Sequence, residues 1–178
     1  LFLAFKALAI DRNIPKTNEE WDRAWASLNW RNGPSIVNYN QANSKIDIPS
    51  NFQILEGKDA HQLLYWINGV DFDYVDVYAM GVKSEQYMFF YTDSGYVKTD
   101  DWTDVDPNKF LKEIKENNKT SNETRKKNGQ STVLDVTWKK KPYLDGIYNS
   151  VYYALNVTWS DNTSSVEGSA IILGREGY

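Results

Sequence analysis

Residues 147–173, IYNSVYYALNVTWSDNTSSVEGSAIIL, decide the fold class of this chain. From Val151 to Trp159, apolar and aromatic side chains recur at every second position, which is the period of a β-strand with one buried face. The polar run SDNT at residues 160–163 is typical of a hairpin loop, and an apolar segment follows over residues 164–173. The stretch therefore predicts a hairpin whose long first strand, residues 147–159, also pairs with another strand on its second edge.

Two helices are predicted in the first half of the chain. Thr17 and Glu20 have the spacing of a capping box, so a helix is predicted over residues 18–30, with its tryptophans in the core. Apolar side chains at helical spacing predict a second helix over residues 58–67, and the Asn68-Gly69 pair that follows is a stop signal.

The remaining regular segments predict strands. Residues 74–82 and 86–92 are apolar or aromatic on both faces, which is typical of central strands covered on each side. Lys139-Lys140-Lys141 before Pro142 predicts a solvated turn. Further strands are predicted over residues 35–39, 45–48 and 132–138. Helices mixed with such strands predict an α+β fold, with one mainly antiparallel sheet of five or more strands and packed helices.

Composition excludes several classes of function. A length of 178 residues suits a single domain, which we predict over residues 1–178, and the absence of cysteine excludes disulfides, thiolate zinc sites and cysteine nucleophiles. A net charge of −4 and an isoelectric point near 5.1 provide no basic surface, so no nucleic-acid partner is expected. The mean hydropathy is −0.62 and no apolar run reaches about 18 residues. Any membrane attachment is therefore expected through segments outside this chain.

The first residues, LFLAFKALAI, support two interpretations. Ala7-Leu8-Ala9 has the small-residue pattern of a signal-peptide cleavage site, so residues 1–16 would include the tail of a signal peptide. Lys6 is unusual within such an apolar segment. In the alternative interpretation, Phe2 and Phe5 lie on one helical face and the segment docks on the domain.

A series of residues from Gly95 onward occurs in a specific order. These are Gly95-Tyr96-Val97, Asp100-Asp101, Asp106, Leu111-Lys112, Asn122-Glu123-Thr124-Arg125, Gly129, Trp138, Pro142-Tyr143, Asp145 and Leu173-Gly174-Arg175-Glu176-Gly177. Through them the chain resembles a bacterial family of predicted membrane-anchored proteins, domain-of-unknown-function family 2167, most strongly over residues 95–177. The resemblance implies an extracytoplasmic domain, in the periplasm or at the cell surface, that continues past residue 178 into membrane-anchoring segments. It implies no activity.

A third helix is predicted over residues 107–127, because Asp106-Pro107 combines an N-cap with proline at the first helical position. Its apolar stripe continues into polar residues, including Asn122 and Arg125. Either this second half projects into solvent, or it faces inward or toward a cleft. In the second case Arg125 would pair with a carboxylate of the preceding loop. Asn122 would then bridge to the loop backbone around Tyr96. The candidate residues for binding a ligand or partner are Tyr96, Asp100, Asp101, Asn122 and Arg125.

Metal and catalytic signals are weak. The aspartate clusters at residues 71–76 and 100–106 lack the glycine and glutamate spacing of a calcium loop. His61, in a predicted helix, is interpreted as a solvated side chain, and no G-x-S-x-G motif occurs. We therefore predict no metal, no cofactor and no catalytic residue, although two of the 24 acidic residues could still form a hydrolytic pair.

Three functional hypotheses follow. The leading one is a non-enzymatic extracytoplasmic domain of a membrane-anchored protein, which binds a protein or envelope component through the loop at residues 95–106 and the polar end of the third helix. The second is a hydrolase that acts on envelope glycans through two carboxylates. The third is a structural spacer.

Overall fold

The computed structural model describes residues 10–39, 42–94 and 100–173, with the backbone alone at Asp100 and Asp101. The chain divides into two compact units, Leu1–Tyr91 and Thr92–Tyr178. The single domain over residues 1–178 stays a prediction. No helix in the described part of the chain is both long and apolar enough to cross a membrane.

The first unit contains two helices and six strands within its described residues. They are α1 Asn18–Ala26, β1 Arg31–Asn32, β2 Ser35–Tyr39, β3 Ser44–Ile48, β4 Phe52–Glu56, α2 Lys58–Asn68, β5 Val77–Gly81 and β6 Gln86–Phe89. Strands β1, β4, β5 and β6 form an antiparallel sheet in the order β1-β4-β5-β6, and β2 pairs with β3. The capping box of Thr17 and Glu20 is present at the start of α1. This helix ends at Ala26 and not at residue 30, because Asn29 bonds through its backbone and side chain to Asp59 of α2.

The two faces of this sheet bury separate apolar clusters. On one face, Leu63 and Leu64 of α2 pack with Leu55 and Tyr78. On the other face, the β2–β3 hairpin contributes to a cluster that comprises Val37, Ile48, Ile54, Val77 and Ala79. Strand β5 is therefore covered on both faces, as predicted.

The prediction of a central, covered strand is wrong for β6. This strand is at one edge of its sheet within the described residues, and Tyr87 and Met88 are 51% and 49% exposed. Its aromatic residues imitate the composition of a buried strand. The side chains of Tyr87 and Met88 are nevertheless exposed, because no described strand pairs with the outer edge of β6. Composition alone therefore did not reveal the edge position.

The second unit contains α3 Asp100–Thr103, α4 Pro107–Lys127, β7 Val133–Asp145, β8 Ser150–Trp159 and β9 Ser164–Ile172 among its described residues. The strands form an antiparallel sheet in the order β7-β8-β9. Strand β8 therefore pairs on both edges, as predicted. Leu111 and Ile114 of α4 pack against a cluster of Val136, Leu155 and Val157 on one face of this sheet.

The prediction of an α+β fold with mainly antiparallel strands is confirmed. The strands are distributed over sheets of four, two and three strands in the described residues, where one sheet of five or more was expected. They divide in this way because each compact unit has its own sheet, and the β2–β3 hairpin covers a sheet face without joining that sheet's edge.

The prediction of a turn at Lys139-Lys140-Lys141 is wrong, because these residues lie inside β7. Register shifts around Lys140 let the strand continue past Pro142 to Asp145 while it stays paired with β8. Lysine and proline are common on edge strands, and β7 is at one edge of its sheet in the described residues.

Candidate functional site

Two of the five candidate residues are described with their side chains. Asn122 and Arg125 lie one turn apart on α4, and both are half-buried, so the second half of this helix faces the sheet. Tyr96 lies outside the described residues. Asp100 and Asp101 start α3, but their side chains are likewise outside the described residues. The predicted pairing of Arg125 with these aspartates therefore stays a prediction.

Asn122 is bonded to the start of β7. Its Nδ2 donates to the carbonyl oxygen of Val133 at 2.8 Å, and the Val133 N–H donates to its Oδ1 at 2.8 Å. These two bonds occupy the amide oxygen and one amide hydrogen. Asn122 thus bridges α4 to β7, and the predicted bridge to the backbone around Tyr96, which lies outside the described residues, stays a prediction. Asn122 reaches β7 because this strand begins beside the last turns of α4.

Arg125 contacts an aromatic ring. Its guanidinium carbon lies 4.8 Å from the ring centroid of Trp159, and its Nη1 donates to the Ser131 carbonyl oxygen at 3.4 Å. No described carboxylate forms an ion pair with it. These contacts of Arg125 hold the end of α4 to β8, and the binding role predicted for this residue stays a prediction.

Two aspartates of the first cluster, Asp71 and Asp76, are bonded to neighbouring groups. Asp71 pairs with Arg12 at 2.9 Å. Asp76 accepts hydrogen bonds from the Tyr39 hydroxyl and from the Tyr91 N–H, and burial together with Asp76 raises the pKa of Tyr39. Across the described residues, no three His, Asp or Glu side chains come close enough to hold a metal ion.

The second cluster is described in part. The Asp106 carboxylate accepts the Asn108 N–H at 2.8 Å and so caps α4, as the sequence predicted.

Three other carboxylates have lowered pKa values. A hydrogen bond from Lys115 lowers the pKa of Asp135. Hydrogen bonds from Ser131 and Thr163 lower the pKa of Asp161 to about 2. Backbone N–H groups of residues 16 and 17 lower the pKa of Glu20. A general acid needs the opposite shift, so none of these three groups is suited to donate a proton near neutral pH.

His61 is not simply solvated, which corrects the expectation for this residue. It is half-buried, and its Nε2 lies 2.8 Å from the Val75 carbonyl oxygen. A carbonyl can only accept, so this nitrogen carries the hydrogen. The bond joins α2 to the segment before β5, which is a structural role.

The face of the second sheet that points away from α4 carries two neighbouring tyrosines, of which Tyr143 is exposed and Tyr152 is half-buried. Tyr143 of β7 is directly opposite Tyr152 of β8, and their rings stack with centroids 5.4 Å apart and planes 25° from parallel. The Lys140 ammonium lies 4.0 Å from the Tyr143 ring centroid. We call Lys140, Tyr143 and Tyr152 the tyrosine platform.

Small residues lie beside the tyrosine platform. Ala154 is opposite Lys140 on β7 and Gly168 on β9, while Ala170 is opposite Tyr152. Because these residues are small, the sheet surface beside the tyrosine rings is open. A flat group bound there would contact an aromatic ring and a cation, which is the combination of apolar surface and few polar groups that binding sites use.

A family model described as "Protein of unknown function (DUF2167)" matches residues 31–178, which is more than half of the chain. The chain belongs to this family. No curated protein matches the chain, and no solved structure does either. The DUF2167 match includes all nine described strands and begins after α1. The suspected family is therefore confirmed, over a longer part of the chain than the residues that first indicated it.

Sequence reasoning missed the tyrosine platform. In the sequence, Tyr143 stands out only through the Pro142-Tyr143 pair shared with DUF2167, and the lysine run around Lys140 predicts a turn. A usable signal existed, because Tyr152 lies on the opposite face of its strand from Val151 and Tyr153. What the sequence lacked was the β7–β8 register that brings Tyr143 opposite Tyr152.

Proposed function

We propose that this chain is a non-catalytic extracytoplasmic domain of a membrane-anchored protein, and that its tyrosine platform binds an anionic glycan of the cell envelope. The stacked pair Tyr143–Tyr152 with Lys140 above it is the observation that carries the proposal. The two rings cover each other's inner faces, so the Tyr152 face turned away from Tyr143 offers the flat apolar surface to the C–H side of a sugar ring, and the ammonium group favours a carboxylate-bearing sugar.

Local charge supports an anionic ligand. The chain as a whole is acidic, yet Lys139, Lys140 and Lys141 are consecutive and exposed along the platform's own strand. A positive patch on an otherwise acidic protein attracts anions locally. The extracytoplasmic location and the membrane anchor rest on the likeness to the family as first seen in the sequence. An alkaline phosphatase fusion to the full-length protein tests the location, because that enzyme needs an oxidising compartment to form its disulfides.

The binding experiment uses soluble carboxylate-bearing peptidoglycan fragments, titrated into the 178-residue chain and followed by calorimetry. Tyr152→Ala and Lys140→Glu should each weaken binding by about fivefold or more, since stacking and a charge contact are each worth about 1–3 kcal/mol. Tyr74→Ala and Lys127→Glu are matched controls. Tyr74 is 53% exposed in an aromatic group with Phe72 and Phe90, and Lys127 is exposed at the end of α4.

Each hypothesis predicts a different result. The proposed module binds the fragments and returns them unchanged, and only the platform variants lose affinity. A hydrolase would shorten the fragments, and a spacer would show no binding. Equal loss in the Tyr74→Ala control would contradict the platform. Binding of an envelope protein in place of the fragments would support the protein-partner form of the leading hypothesis.

A further inference from the structure

The outer edge of β9 exposes a regular row of backbone groups. The Trp159 N–H donates to the Thr163 carbonyl, and the Leu173 N–H donates to the Asn149 carbonyl. Odd-numbered residues therefore bond to β8, and the antiparallel alternation directs the N–H and C=O groups of the even-numbered residues outward. These residues are Ser164, Val166, Gly168, Ala170 and Ile172. In the described part of the chain no strand pairs with this edge.

The other edges of the described four- and three-stranded sheets have features that block pairing, whereas β9 lacks them. Strands β1 and β6 have only two and four residues. Strand β7 carries Lys139-Lys140-Lys141, Pro142 and register shifts. Strand β9 pairs with β8 without a register shift over nine residues and contains no lysine and no proline. Short strands, lysines, prolines and bulges are the usual protection of an edge, so β9 is a pairing site by this criterion.

We propose that β9 pairs antiparallel with β9 of a second copy of this chain, about a two-fold axis at Gly168, to form a continuous six-stranded sheet. In this register Val166 faces Ala170 of the second copy, and Gly168 faces its counterpart. The outward N–H and C=O groups of the five even-numbered residues then form roughly ten hydrogen bonds between the copies, two for each opposed pair.

Charge placement allows a second copy to pair in the antiparallel register. Glu167 is the only charged residue in β9. The two-fold register sets it opposite Ser169 of the other copy, so no like charges face each other across the interface. A parallel, in-register stack of this strand would instead align every Glu167 with another.

The exposed apolar side chains on β9 fit the same arrangement. Val166 and Ile172 are 61% and 68% exposed, and both lie on the face away from α4. In the paired register, Val166 of one copy is diagonal to Ile172 of the other, within reach of a long side chain. Pairing thus reduces the exposure of the two largest apolar residues that the strand leaves in solvent.

Analytical ultracentrifugation of the 178-residue chain tests the proposal. The parent chain should sediment as a dimer at micromolar concentration. Gly168→Pro removes an N–H that the monomer does not use, and edge strands tolerate proline in that orientation. We expect this variant to raise the dimer dissociation constant at least about 100-fold, since two symmetric hydrogen bonds are lost and the edge is obstructed. Gly168→Ala is the control, because an added Cβ meets only ordinary contacts at 3.5 and 3.8 Å.

The register has its own test at Ser169. Ser169→Glu places a carboxylate opposite Glu167 of the second copy and should weaken the dimer, whereas Ser169→Lys should strengthen it, each by about tenfold. Combining Ser169→Glu with Glu167→Lys should restore pairing. Hydrogen exchange at the amides of Val166, Gly168 and Ala170 should slow as protein concentration rises.

Three results would overturn the proposal. One is a parent chain that remains monomeric up to about millimolar concentration. Another is a dimer that is insensitive to Gly168→Pro and to the Ser169 charge variants, which would place the interface elsewhere. The third is slowed exchange at the even-numbered amides of a monomer only when a peptide from another protein is added. In that case the edge accepts a foreign strand.

Discussion

The side chain of Asn122 forms a two-way hydrogen-bonded bridge to the backbone of Val133, with both bonds at 2.8 Å. The amide thus makes the two hydrogen bonds that a neighbouring strand would make with the N–H and C=O groups of Val133, the first residue of β7. One turn later, Arg125 packs on Trp159. Together the two residues fix the polar half of α4 to the sheet, and they explain why a helix stripe that loses its apolar residues still faces inward.

Asn122→Ala should lower the free energy of unfolding by about 1–3 kcal/mol, because it leaves a half-buried N–H and C=O of Val133 without partners. Urea unfolding followed by tryptophan fluorescence measures the change. Asn117→Ala, on the exposed face of the same helix, is the control and should change stability by less than about 0.5 kcal/mol. Equal effects of the two changes would mean that the bridge contributes nothing.

Arg125→Ala should lower the free energy of unfolding by about 1–2 kcal/mol, the range of a partly desolvated cation–π contact. A double-mutant cycle with Trp159→Leu should give a coupling energy of about 0.5–2 kcal/mol, measured by urea unfolding. The ion-pair hypothesis predicts a larger loss, about 3–5 kcal/mol, and coupling to Asp100→Ala or Asp101→Ala instead. The two cycles therefore decide between the aromatic and the acidic partner.

Gly33→Ala should destabilise the first unit by about 1–3 kcal/mol or more. A Cβ at Gly33 would overlap the carbonyl group of Pro49, and backbone cannot move aside as a flexible side chain can. Gly146→Ala is the matched control, since a Cβ there meets open space. Thermal melts followed by circular dichroism should show a lower melting temperature for Gly33→Ala alone.

The contribution of Asp161 to the free energy of unfolding should depend on pH. The hydrogen bond from Ser131 and those from Thr163 lower the pKa of Asp161 from 3.8 to about 2 in the folded state. The unfolded chain therefore binds the proton first, and the contribution is complete above pH 3.8 and is lost as the pH falls toward 2.

Asp161→Asn should make the fall in unfolding free energy between these pH values less steep. Urea unfolding at a series of pH values measures the slope, and Asp22→Asn on exposed α1 controls for the change in net charge. An unchanged slope for Asp161→Asn would contradict the assignment.

The sequence by itself determined the elements whose signals are local. A capping aspartate with proline at the next position marked the start of α4, and the range predicted for this helix, 107–127, agrees with the structure. Alternation over residues 151–159 and the SDNT loop predicted the β8–β9 hairpin, and the length of β8 predicted its second partner. These signals act within a few residues, because caps, turns and side-chain period depend on the nearby backbone.

Only the tertiary structure decided which distant residues meet. The register shifts in β7 keep Lys140 and Pro142 in a strand and place Tyr143 against Tyr152, and no local pattern encodes such shifts. In the same way, the aromatic composition of β6 suggested a covered strand, although this strand is an edge in the described residues. Arg125 on Trp159 depends on how α4 lies across the sheet. Strand register and helix placement come from packing the whole unit, whose contacts join residues far apart in the chain.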